Sequence, residues 1–176
     1  MKKKEEKKKI YYPVLRYLIL VSSALGNLWL FYFIFTPLTI YPVFFLLKLF
    51  FSASLSGTII SFNNVSINLV KACIAGSAYY LLLILNLTTP ISIKKRIYAL
   101  IFSFISFLII NIIRIFLFSL LLENSFSLFN LTHLFVWYGL SSFIVLAIWI
   151  FTIKIFDIKE IPVYSDLKFL YKLIKK

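Results

Sequence analysis

Residues 97–122, IYALIFSFISFLIINIIRIFLFSLLL, decide the fold class. The run is 26 residues long and apolar almost throughout. As a helix it would rise ~39 Å, more than the ~30 Å of a bilayer's hydrocarbon core. It carries one charge, Arg114, and Asn111 three residues earlier shares its helical face. An ionised guanidinium in hydrocarbon costs roughly 2.5–3.5 kcal/mol on insertion scales, so such a residue faces a protein interior, a polar cavity or the headgroups. Two readings follow. Arg114 lies eight residues, roughly 12 Å, from Leu122 and could snorkel outward. Asn111 beside it instead marks a polar site between helices.

Working outward, the composition is 62% hydrophobic and 19% aromatic, which places the chain among helical integral membrane proteins. Spanning barrels alternate apolar and polar residues, and these runs do not. The net charge of +13 sits at segment ends: Lys2–Lys9, Lys94–Arg96 and Lys168–Lys176. That is the distribution of cytoplasmic flanks against anionic headgroups, so nucleic acid is not an expected partner. The single cysteine, Cys73, excludes an internal disulfide. No cofactor is expected, and no metal, since one Cys and one His are too few ligands.

Taken in order, residues 1–9 read as a cytoplasmic basic tail and 14–35 as a first span. Pro37 and Pro42 are expected to break the helix. Residues 41–55 are apolar but short and contain Lys48. Residues 56–72 are more polar; their β-branched residues and the Asn63–Asn64 turn signal suggest a short hairpin or irregular loop on the outer side. Spans follow at 73–90, 97–122 and 131–155, with a short loop at Glu123–Asn130 between the last two. Residues 156–176 form a basic amphipathic tail on the membrane. The three basic clusters all belong in the cytoplasm. Parity then requires an odd number of crossings between Lys9 and Lys71. The first span supplies one, so 41–55 should be re-entrant or interfacial. The expected fold is therefore an all-α integral membrane protein in one domain, a compact bundle of about four transmembrane helices plus one re-entrant or interfacial helix. Five spans are the alternative count.

This topology places Cys73, Arg114 and His133 toward the outer side. They read as the only Cys, the only His and the only Arg inside an apolar span. A thiol becomes a nucleophile as the thiolate, which a nearby cation favours. An imidazole can take the thiol proton and return one to a leaving amine. A guanidinium offers rigid donors to a developing oxyanion in a low-dielectric site. Together they would make a thiol acyl-transfer site, with Asn111 in support. Each also has a plainer reading: Cys73 as a small buried hydrophobe, His133 as an interface residue, Arg114 as a headgroup contact. Asn64-Val65-Ser66 and Asn130-Leu131-Thr132 match the glycosylation sequon, which also arises by chance. Ala75-Gly76-Ser77-Ala78 reads as a close helix-packing surface.

In order, KACIAGSAYYLLL, NIIRI and THLFVWYG resemble the exosortase/archaeosortase family of membrane-embedded sorting enzymes. That family carries a Cys before small residues at a helix start, Asn-x-x-Arg on the next helix and His or Arg on the one after. The matching positions here are Cys73, Asn111 with Arg114, and His133. GTIISFNNVSINLVKAC is similar to the family's lead into the cysteine, and the resemblance covers about residues 52–150. Small size and Lys/Ile/Phe/Asn-rich composition resemble the short archaeal members, the pacearchaeosortase branch among them. Ile74 departs from the Ser or Thr that many members have after the Cys, and many members have more N-terminal spans. The resemblance implies a cysteine protease or transpeptidase of the cell membrane, multi-pass, with its active site facing outward. It would cleave exported proteins at a C-terminal sorting signal (motif, transmembrane helix, basic end) through an acyl-thioester on Cys73. The protein would then pass to a lipid or other acceptor. Two competing readings are a non-enzymatic scaffold or assembly subunit with Arg114 pairing to a partner helix, and a transport subunit with Arg114 as an anion contact.

Overall fold

The computed structural model describes residues 2–123, 141–160, 162–164, 168 and 171, with side chains from Pro13 onward. Among these the chain forms α1 (Lys2–Leu25), α2 (Trp29–Phe50), β1 (Ser54–Ser56), β2 (Ile59–Phe62), β3 (Val65–Asn68), α3 (Lys71–Ile74), α4 (Gly76–Leu87), α5 (Ile93–Glu123) and α6 (Ser141–Ile155). Helix dominates. Two helices, α2 and α5, are long and apolar enough to cross a membrane.

The apolar run 97–122 lies in α5, a 31-residue helix. Its buried face is Ala99, Ser103, Phe107, Asn111, Ile115 and Ser119, one residue every four. On another face Ile97, Ile101, Ile105, Ile109, Ile113 and Leu117 are each about half exposed. So long an apolar row facing out of the bundle is the surface of a helix that meets lipid or a partner. The inner row carries the polar side chains. Ser103 Oγ and Thr152 Oγ1 on α6 lie 3.0 Å apart, and Asn86 Nδ2 on α4 donates to Ser103 Oγ at 3.5 Å. This small network holds α4, α5 and α6 together where only apolar contacts would otherwise act.

Helix α2 departs from the expected break. Pro37 and Pro42 lie inside one continuous 22-residue helix. A proline forfeits one i→i−4 bond and strains the preceding turn, at about 3 kcal/mol in an exposed helix. Here Phe31, Phe35, Thr39, Val43 and Leu47 form a buried row at four-residue spacing, and Pro37 lies on the exposed side. Packing of that row outweighs the local penalty. Residues 41–55 are thus the continuation of α2 into the first strand, and not a separate re-entrant helix. The expected first span, 14–35, is divided instead at Gly26–Leu28. Asn27 (φ 48°) and Leu28 (φ 56°) are both left-handed there, a conformation that costs a leucine about 1–2 kcal/mol. Leu28 packs against the core cluster around Phe31 and Tyr79, which offsets it.

Contacts between elements fix the direction of each helix. At one end Arg16 Nη1 of α1 and Arg96 Nη2 of α5 both donate to the Thr89 carbonyl, at 3.1 and 2.9 Å. Lys95 Nζ reaches the Phe156 carbonyl after α6, and Val163 N–H bonds the Thr88 carbonyl. At the other end Asn63 Nδ2 donates to Glu123 Oε1 at 3.0 Å, and Phe50 meets Phe116. Hence α1 and α2 ascend one after the other, α4 descends, α5 ascends and α6 descends. Glu123, expected in a loop, ends α5.

Residues 56–72, expected as a hairpin or irregular loop, contribute to a three-stranded antiparallel sheet of order β1-β2-β3 that makes the fold other than purely helical. Phe62 pairs with Val65 across Asn63–Asn64, and Ser56 with Ile59 across Gly57–Thr58. Each connection begins with a left-handed residue, Asn63 at φ 47° and Gly57 at φ 61°, the residue types that tolerate it. Ile60 and Phe62 turn one face of β2 onto Val43, Leu47 and Ile115, the core cluster at this end. The second cluster lies deeper in the helices, where Tyr79 stacks on Phe35 with ring centroids 3.6 Å apart. The expected span 73–90 begins later than its apolar run. Ala75 is left-handed (φ 57°) and separates the single turn of α3 from α4, so Cys73 lies ahead of the apolar helix. Residues 131–140 of the last expected span and most of the 156–176 tail lie outside the described residues.

Candidate functional site

The site begins with the chain reversal that follows β3. Strand register ends at Asn68, and α3 forms one turn closed by Cys73 N–H to the Val70 carbonyl at 2.8 Å. The left-handed Ala75 then turns the chain into α4. Gly76 is what lets α4 approach α2 closely. A Cβ there would lie 2.8 Å from Tyr32 Cζ, inside any contact a carbon tolerates. The run of small residues at 75–78 therefore serves close packing, as its composition suggests.

Asn111, on the inner row of α5, reaches across to this turn. Its Nδ2 donates to the Cys73 carbonyl at 3.0 Å. The side chain is 2% exposed, and its Oδ1 accepts no hydrogen bond among the described residues. A buried carbonyl oxygen without a partner costs about 1–3 kcal/mol. Asn111 therefore ties α5 to the cysteine turn at some expense.

Arg114 lies one turn further along α5. Its Nη1 donates to Ser141 Oγ, the first residue of α6, at 3.0 Å. The guanidinium is half-buried and close enough to Cys73 for its charge to act on the thiol. Burial nevertheless pushes the Cys73 thiol above its ordinary pKa. A backbone hydrogen bond with Val70 and the Arg114 charge pull downward and do not reverse it. Half-buried Cys73 packs beside Ile112 and Ile115. The Arg114 charge by itself does not bring the thiol below its ordinary pKa in this arrangement.

Three of the four sequence-derived site residues, Cys73, Asn111 and Arg114, come together. His133 lies within 124–140, outside the described residues, as does the Asn130 sequon. Two residues escaped the sequence reading. Ser141, with Ser142, interrupts an apolar run, and that interruption was the available signal. Arg16 is a second arginine inside an apolar stretch, 7% exposed, so Arg114 is not alone in that respect. Among the described residues no group of three His, Cys, Asp or Glu could hold a metal ion. No family model, curated protein or solved structure matches the chain.

Proposed function

We propose that this chain is a multi-pass membrane cysteine peptidase or transpeptidase acting on the C-terminal sorting signals of exported proteins. One observation carries the reading most. A single helix, α5, sends Asn111 to the Cys73 carbonyl and Arg114 to the vicinity of its thiol. The only cysteine and an intramembrane arginine need not meet in a scaffold of this size.

In this reading the membrane is crossed four times: by α1 with α2, by α4, by α5 and by α6. The half-exposed row on α5 faces lipid. Arg16, Lys95 and Arg96 gather at one end and the sheet with Glu123 at the other, which matches positive-inside orientation. The sheet and the cysteine turn then face outward. His133, eight residues before Ser141 in the sequence, takes the thiol proton. The thiolate attacks a peptide carbonyl, and Arg114 stabilises the oxyanion that forms. The tetrahedral intermediate collapses as the C–N bond breaks and the proton on His133 passes to the leaving amine. The acyl group is left on sulfur as a thioester. An acceptor nucleophile then releases it, returning the proton to the thiol.

The test is processing of an exported protein with a C-terminal sorting signal, co-expressed with wild type or Cys73→Ser. Unprocessed substrate in the variant, with the enzyme at normal abundance in the membrane, is expected. Processing at the normal rate would sink the nucleophile assignment and leave the scaffold reading standing.

A further inference from the structure

A cavity of about 430 Å³ opens between α2, the end of β3 and α3. Its floor is apolar, made by the buried side chains of Leu69 and Ile74. Its rim carries Tyr32 and Thr36 from α2, with Asn68 and Lys71 from the segment that leads into Cys73. Thr58, also on the rim, donates to Asn68 Oδ1 at 2.9 Å. That bond turns the Asn68 amide so that its NH₂ remains to donate. The Lys71 ammonium sits over the Tyr32 ring, 5.3 Å from the centroid, and the ring itself is seated against Gly76. The rim is thus one fixed cation and several donors above an apolar floor.

No acid balances it. The sequence has no Asp or Glu between Glu6 and Glu123, and Glu123 accepts from Asn63 on the hairpin tip. A cation among hydrogen-bond donors, with no carboxylate beside it, favours an anion from outside the chain. Depth in the fold narrows its identity. Along the unbroken α5, Asn111, which bonds the Cys73 carbonyl two residues from Lys71, lies roughly 22 Å from Arg96. That is most of the ~30 Å separating the two headgroup layers. With Arg16 and Arg96 at the inner layer, the exposed Lys71 stands on the outer side.

We propose that this cavity binds the headgroup phosphate of a membrane lipid, with Lys71 as its charge partner and Tyr32, Thr36 and Asn68 as donors. The lipid's chains continue past Leu69 and Ile74 into the hydrocarbon. The site borders the cysteine turn, so a bound phosphate lies beside the outward face where the thiol is reached. This inference takes the membrane embedding of the proposed function but not its peptidase chemistry.

The test uses full-length protein in neutral detergent with dihexanoylphosphatidylglycerol as probe, and with phosphate-free dihexanoylglycerol and inorganic phosphate as comparators. Saturable binding of the phospholipid is expected, with the phosphate-free analogue at least tenfold weaker. Lys71→Gln should weaken phospholipid binding roughly tenfold, the scale of one charge-assisted hydrogen bond. Asn68→Leu should weaken it severalfold. Both residues are exposed, so helicity and monodispersity should match wild type. Equal binding of the phosphate-free analogue, or unchanged binding in Lys71→Gln, would overturn the proposal. Displacement of the lipid by an equal concentration of inorganic phosphate would assign the site to a soluble anion and also overturn it. No substrate protein is present, so failure of the peptidase reading leaves this measurement intact.

Discussion

Two regions of the molecule bury an arginine within apolar helices, and they do it differently. At the basic end Arg16 and Arg96 both donate to the Thr89 carbonyl. A backbone carbonyl is fixed in place, has no acidity and cannot turn over. At the sheet end Arg114 donates to the Ser141 hydroxyl and places its charge near a thiol. A hydroxyl can rotate, and a thiol can ionise and form a bond. Arg16 has the connectivity of a clamp, tying α1 to the end of α4, while Arg114 bonds a hydroxyl and places its charge beside the thiol, as the proposed reaction would require. Burial of a guanidinium alone does not mark function.

The sharpest way to break this comparison is to substitute both arginines and measure processing. Arg114→Lys should lower the processing rate about 10²-fold or more, since a point charge does not reproduce the guanidinium fork at an oxyanion. Wild-type rate in that variant would return Arg114 to a headgroup contact. Arg16→Gln should leave the rate of folded enzyme unchanged. Its cost should appear as a lower midpoint of thermal unfolding, by roughly 5 °C for the loss of one buried hydrogen bond to a charged donor. A rate loss with unchanged melting would reverse the two roles.

Two smaller effects sharpen the picture. Membrane-impermeant maleimide applied to intact cells should label Cys73, more slowly in His133→Ala than in wild type. Labelling only after permeabilisation would invert the orientation. In a His133→Ala background the pH dependence should expose the cysteine's own environment. Burial holds its pKa above the ordinary thiol value, so the labelling midpoint lies on the alkaline side. Adding Arg114→Gln removes a cation that favoured the thiolate, and the midpoint should move higher still. A downward shift would mean that Arg114 does not act on the thiol.

Segments where local pattern and packing agree are legible in the sequence itself. The row from Ile97 to Leu122 reads as helix and is helix, because nothing in it competes with an apolar helix. The Asn63–Asn64 turn signal marks a real hairpin, since a left-handed residue at φ 47° suits asparagine. The prolines mislead. Pro37 and Pro42 carry a strong local penalty, and only the row Phe31, Phe35, Thr39, Val43 and Leu47 shows why α2 runs through them. Leu28 and Ala75 mislead in the opposite sense, being left-handed at residues with no local preference for it.

Apolar length and charge placement, by themselves, determined that this is a helical protein with stretches able to cross a membrane and its basic groups at segment ends. Both are properties of single segments against water and lipid, so no neighbour is needed to read them. The order Cys73, Asn111, Arg114 was likewise visible as residue types. Tertiary structure alone decided where α1 gives way to α2, that the segment before Cys73 forms a sheet, and that Arg16 is buried on a carbonyl. It alone decided that Asn111 and Arg114 meet the cysteine turn. Each of these depends on partners far apart in sequence, whose packing overrides what any one residue prefers locally.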